Sequence, residues 1–181
     1  CYNSMFQGCT SLTTAPALPA TTLEDYCYLG MFEGCTSLTT APELIVTTLR
    51  YGCYLGMFEG CTSLTTAPEL LAETLVDNCY NRMFNRCSNL NYIKMLATNI
   101  SASSCLTNWV SGVASSGTFV KHPQMATLKS GSDGIPSGWT VEDYVEDVSE
   151  QYFTIEALED GLTASLSRNA CEYRIDNGSW I

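Results

Sequence analysis

The chain has 181 residues, 45% of them apolar, and its 19 acidic against 8 basic side chains leave a net charge of −11. Such a charge repels the phosphate backbone that supplies most nucleic-acid affinity and disfavours anionic lipid, so both are poor partners. No run of about 18 apolar residues offers a membrane span, and the first ten residues lack the basic start and apolar stretch of a signal peptide.

From the first residue the chain repeats. Cysteines fall at 1, 27, 53, 79 and 105, and a second series at 9, 35, 61 and 87 keeps the same period of 26. Four copies cover residues 1–104; the second and third are identical over their first eighteen residues, and the fourth has decayed. A period in this range points to stacked coils, each with one short strand and one helical segment, because a single coil cannot bury its own apolar stripe. In the third copy Thr48 offers a helix N-cap, Leu49, Cys53 and Met57 recur every four residues beside Tyr54 and Phe58, and Gly60 offers a helix stop. Leu64 to Leu70 then reads as a short strand with Leu64, Ala67 and Leu70 inward. Pro68 lacks an N–H, so pairing is expected to stop before it.

Cys105 keeps the phase, but Trp109 and Val110 replace the Met-Phe pair, and a Gly/Ser-rich stretch from Ser111 to Gly138 breaks the period. Residues 105–141 are expected to cap the array, with Trp109, Phe119, Ile135 and Trp139 as its apolar contacts. Because Cys1 starts in phase with no polar cap before it, the sequence reads as a piece of a longer array. Glu142, Asp143, Glu146, Asp147 and Glu150 mark 142–151 as an acidic linker. Residues 152–181 alternate apolar and polar positions, and Asp176-Asn177-Gly178 is a hairpin signal. This is expected to be the start of a β-sandwich-like module, too short to close alone.

The unit C-Y-x-x-M-F-x-G-C-T-S-L-T-T-A-P-E-L, ending in T-L before the next Cys, resembles the BspA-type leucine-rich repeats of bacterial surface proteins, especially those of gut Bacteroidales. The resemblance covers residues 1–104. It implies an α/β leucine-rich-repeat solenoid, a cell-surface or secreted bacterial location, and non-catalytic recognition or adhesion with an extracellular protein or glycan as ligand. No ligand residue is fixed across that family. The alternatives are a structural spacer and the targeting module of a larger secreted hydrolase; a monomer is expected.

The cysteines leave three readings open. Zinc needs converging ligands, whereas these lie eight and eighteen apart and the lone His122 is distant. Disulfides would pair Cys9 with Cys27, Cys35 with Cys53, Cys61 with Cys79 and Cys87 with Cys105, leaving Cys1 and Cys171 over. Free buried thiols filling the interior are the plainer reading. A nucleophile would need His122 as base for Cys105, but both lie in the cap, where a capping histidine is the plainer reading; no catalytic residue, metal or cofactor is expected. Carboxylates at Glu33, Glu59, Glu43 and Glu69 could serve calcium if they converged, but read better as surface charge.

Binding should use the outward columns of the stacked strands: Thr14, Thr40, Thr66 and Tyr92, then Pro16, Pro42, Pro68 and Lys94, with Ala17, Glu43, Glu69 and Met95 at the corner. The fourth copy departs from a Thr/Pro surface, and its Tyr92, Lys94 and Met95 bring together an aromatic, a cation and a soft apolar group, the composition of interface cores. Tyr92, Lys94, Met95, Thr66 and Thr40 are therefore the candidate contact residues; refitting of that coil to the cap is the competing explanation.

Overall fold

The computed structural model of the chain describes residues 2–125, 127–146, 152–156, 163–167 and 173–175. These divide into two compact units, Cys1–Tyr144 and Val145–Ile181.

In the first unit successive 26-residue coils stack in parallel register. Along residues 26–35 the backbone alternates its partners. The N–H groups of Tyr26, Tyr28, Gly30, Phe32 and Gly34 donate to the carbonyls of Tyr51, Cys53, Leu55, Met57 and Glu59 in the next coil, at 2.7–2.9 Å. Those of Cys27, Leu29, Met31, Glu33 and Cys35 donate back three residues within their own coil. The neighbouring coils repeat the arrangement, as in Tyr54 to Cys79 and Phe58 to Met83.

This pattern overturns the α/β leucine-rich-repeat solenoid with one helix per coil. Among the described residues there is no helix; the segments expected to be helical are runs of turns. The reason lies in one residue in four. Turns beginning at Glu24, Tyr28 and Phe32 have Tyr26, Gly30 and Gly34 in third place, with φ of 56°, 56° and 70°. A turn of this kind needs a positive φ there. The same columns hold Gly52, Gly56 and Gly60, then Asn78, Arg82 and Arg86, then Ser104, Asn108 and Gly112, all at positive φ. A left-handed residue at every fourth position cannot continue a right-handed helix. It does free every second N–H to reach the next coil.

The apolar stripe still faces inward. Leu49, Cys53, Met57, Tyr54 and Phe58 are buried, as are Met31 and Met83. Met5, in the first coil, is 61% exposed. Aromatic rings stack from coil to coil: Tyr2, Tyr28, Tyr54 and Tyr80 at 5.7–6.2 Å, and Phe6, Phe32, Phe58 and Phe84 at 5.6–5.7 Å, the last followed by Trp109 at 6.2 Å.

The expected strand over 64–70 is reduced to single bridges, Thr66 with Tyr92 and Leu70 with Met95. Pairing does not end before Pro68. It skips the proline and resumes, so that Ala67, Pro68 and Glu69 lie opposite Ile93 and Lys94 as a one-residue bulge. Only the fourth coil, with Lys94 in place of proline, has the N–H groups for a continuous strand. That strand, β1 (Tyr92–Met95), pairs in parallel with β2 (Thr118–Lys121), and β2 with β3 (Thr140–Asp143). Thr118 lies 26 positions beyond Tyr92, so the stacking period persists through the Gly/Ser-rich stretch expected to break it, and shortens to 22 only between β2 and β3. Trp109, Phe119 and Trp139 are buried there and Ile135 half-buried. The Trp109 indole donates to the Gly134 carbonyl and the Trp139 indole to that of Ala114, both at 2.8 Å.

The second unit contains an antiparallel sheet of β4 (Tyr152–Glu156), β5 (Thr163–Ser167) and β6 (Tyr173–Ile175), in that order. These strands fall where the alternation placed them; the hairpin signal at 176–178 lies outside the described residues.

Candidate functional site

The threonine columns arise from the coil geometry. Thr14 and Thr40 pair as a parallel bridge, and Thr66 pairs with Tyr92. Thr40 and Thr66 are exposed, while Tyr92 and Lys94 are half-buried. Neighbouring hydroxyls are partly spent on the stack: Thr39 donates to the Thr13 carbonyl at 3.1 Å and Thr62 to that of Thr36 at 3.4 Å.

Two expected surface features turn inward. Met95 is fully buried, because the alternation of β1 sends Ile93 and Met95 to the interior and Tyr92 and Lys94 outward. It cannot touch a ligand while the stack is closed. Pro42 and Pro68 are also buried, Pro68 within the bulge; of this column only Pro16, in the first coil, is exposed. Lys94 is engaged, its ammonium 3.0 Å from Glu69 Oε1 and 4.3 Å from the centroid of the Tyr144 ring.

Seven of the eight described thiols are buried, and Cys9 is exposed. All eight described cysteines are free, so none of the four disulfide pairings is present, and Cys1 and Cys171 lie outside the described residues. Cys35, Cys61 and Cys87 each donate to a phenylalanine carbonyl in the preceding coil, those of Phe6, Phe32 and Phe58, at 3.0–3.1 Å. Burial pushes the Cys53 thiol up to about 11 and those of Cys79 and Cys87 up to about 12. A thiol held protonated in this way is inert. Cys105, also raised by burial, donates to the Ile100 carbonyl, and His122 accepts from the Gln124 N–H, so the two form no dyad.

The acidic columns do not converge on an ion. Glu59 is buried, with Oε1 2.6 Å from Arg82 and 2.9 Å from Asn85 Nδ2; Glu33 accepts from Gln7 at 3.0 Å. Among the described residues no three metal-ligating side chains gather.

A shallow groove between the second and third coils is lined by Pro42, Glu43, Ile45, Pro68, Glu69 and Leu71, with Ile45 60% exposed. A second surface lies at the turn corner, where Tyr26 and Tyr51 meet edge to face at 5.2 Å and 78°, both 41% exposed. Reasoning from sequence passed over this pair. The signal was present: Tyr26 occupies the column that elsewhere holds Gly52, Asn78 and Ser104.

No helix among the described residues is long and apolar enough to cross a membrane. No family model, curated protein or solved structure matches the chain.

Proposed function

We propose that the chain is a monomeric, non-catalytic recognition module of a cell-surface or secreted bacterial protein, binding an extracellular protein or glycan. The observation carrying this reading is the outward set formed by exposed Thr40 and Thr66 with half-buried Tyr92 and Lys94, on a wall where Thr14 bridges Thr40 and Thr66 bridges Tyr92. A regular array of this kind suits an extended partner better than a small substrate, and the thiols of Cys53, Cys79 and Cys87 are buried and held protonated. The resemblance of residues 1–104 to BspA-type surface proteins supports the location and the binding role.

The near-identity of the second and third copies equally suits a spacer that sets distance and contacts nothing. The full 181-residue chain, immobilised and screened against extracellular proteins and glycans, separates the two. Recognition predicts a saturable partner whose binding is lost in the Thr40→Arg, Thr66→Arg double variant. Absence of any saturable partner assigns the chain to spacing.

A further inference from the structure

The Tyr26–Tyr51 corner is built against the local backbone preference. Tyr26 has φ 56°, a left-handed conformation that Gly52 and Asn78 tolerate in the same column and that a bulky aromatic rarely adopts. Backbone strain of this kind persists only where surrounding structure enforces it. Here the enforcement is visible. The Tyr26 N–H donates to the Tyr51 carbonyl at 2.9 Å, and the ring packs over Gly52, where an added Cβ would lie 2.8 Å from Tyr26 Cδ1. Asn78 Nδ2 holds the Tyr51 hydroxyl at 3.0 Å, fixing the second ring. Both rings nevertheless stay 41% exposed.

The surroundings are acidic. In the stacking register Asp25 and Asp77 lie one coil either side of Tyr51, Glu24 adjoins Asp25, and all three are exposed; Arg50 is the one basic residue beside them. Asp77 Oδ1 accepts from the Ser103 N–H at 2.8 Å. The chain as a whole carries −11. Two tyrosine rings flanked by carboxylates attract a cation, through the negative ring faces and through plain charge. The molecule already contains one such arrangement in Lys94, held between Glu69 and the Tyr144 ring.

We infer that the Tyr26–Tyr51 corner is a binding platform for a cationic side chain, lysine or arginine, presented by a protein partner. The inference rests on the recognition reading above and narrows the partner to a basic protein surface. The test is titration of the full chain with hexalysine, followed by tyrosine fluorescence and by NMR, with maltohexaose as the uncharged comparison. Because any basic peptide is drawn to so acidic a chain, the decisive comparison uses Tyr26→Gly and Tyr51→Ala, which leave the net charge unchanged.

The expected result is hexalysine binding that weakens with salt and falls about fivefold or more in the double variant, the size of two exposed cation–π contacts. Tyr26→Gly alone should melt no lower than the parent, since glycine removes the strain. A lower melting temperature for Tyr26→Gly with unchanged hexalysine affinity would make the ring a packing element and overturn the proposal. Maltohexaose binding that depends on the same two rings would overturn it in favour of a sugar platform. If the double variant still captures a partner found in the screen, the platform fails while the recognition reading stands.

Discussion

Replacing Gly56 by alanine gives opposite signs for a helix and for a ring of turns. Gly56 lies in the middle of the segment whose apolar spacing reads as helical, and its φ is 60°. In a helix interior, alanine would be the better residue by about 1 kcal/mol. In the left-handed region the added Cβ approaches the following carbonyl and costs about 1–2 kcal/mol. The two arrangements thus differ by about 2–3 kcal/mol and in direction. Packing does not confuse the comparison, because an added Cβ would meet nothing nearer than Glu59 Oε2 at 3.7 Å. Gly56→Asn should lose less than Gly56→Ala, as Asn108 already occupies this column at φ 50°. Urea unfolding of the full chain at 25 °C, followed by circular dichroism, supplies the free energies. A Gly56→Ala protein more stable than the parent would refute the turn architecture and restore the helix.

Phe58, stacked between Phe32 and Phe84 and fully buried, should cost about 3–5 kcal/mol as Phe58→Ala, whereas Phe6→Ala, half-buried in the first coil, should cost well under half of that; equal losses in urea melts would argue against a continuous interior. Stability should fall above pH 9: the thiols of Cys53, Cys79 and Cys87 stay protonated in the fold up to about 11 to 12 but ionise near 9.0 once unfolded, so each removes up to about 1.4 kcal/mol per pH unit over that window. A flat pH profile of urea midpoints from 9 to 11 would contradict their burial. Arg82→Ala strips Glu59 of one of its two partners and should cost about 1–3 kcal/mol, while Arg82→Gly, which also relieves a φ of 55°, should cost about 1 kcal/mol less; the reverse order in thermal melts would show that the ion pair is not what the position provides.

The period of 26 and the inward set were legible in the sequence, because burial depends only on which residues recur in phase: Cys53, Met57, Phe58, Leu64, Ala67 and Leu70 are all inside. The local backbone was not read correctly, since apolar residues every four positions satisfy a helix and a four-residue turn cycle alike. The discriminating residues were the others. Gly52, Gly56 and Gly60 recur at the same spacing, and three glycines in nine residues are costly in a helix but natural where φ must be positive. The contact residues were legible in part. Thr40, Thr66, Tyr92 and Lys94 reach the surface, but Pro42 and Pro68 are buried, and the strand alternation of β1 buried Met95. Tyr26 and Tyr51 escaped notice because outward columns were sought only on the strand side of the coil.

The alternating hydrogen bonds make the stack directional. Every second N–H along the turn segment points toward the following coil and every matching carbonyl toward the preceding one, so the two ends are chemically unlike, a donor edge and an acceptor edge. A twofold-related copy would bring like edges together and leave both unpaired. Any association that prolongs the ladder must therefore run head to tail, and such an arrangement has no internal stopping point, growing into a filament unless an end is covered. The Asn108 N–H, which would continue the ladder, is instead met by Asp133 Oδ1 at 2.6 Å: a carboxylate there stands in for the next coil's carbonyl and blunts the donor edge.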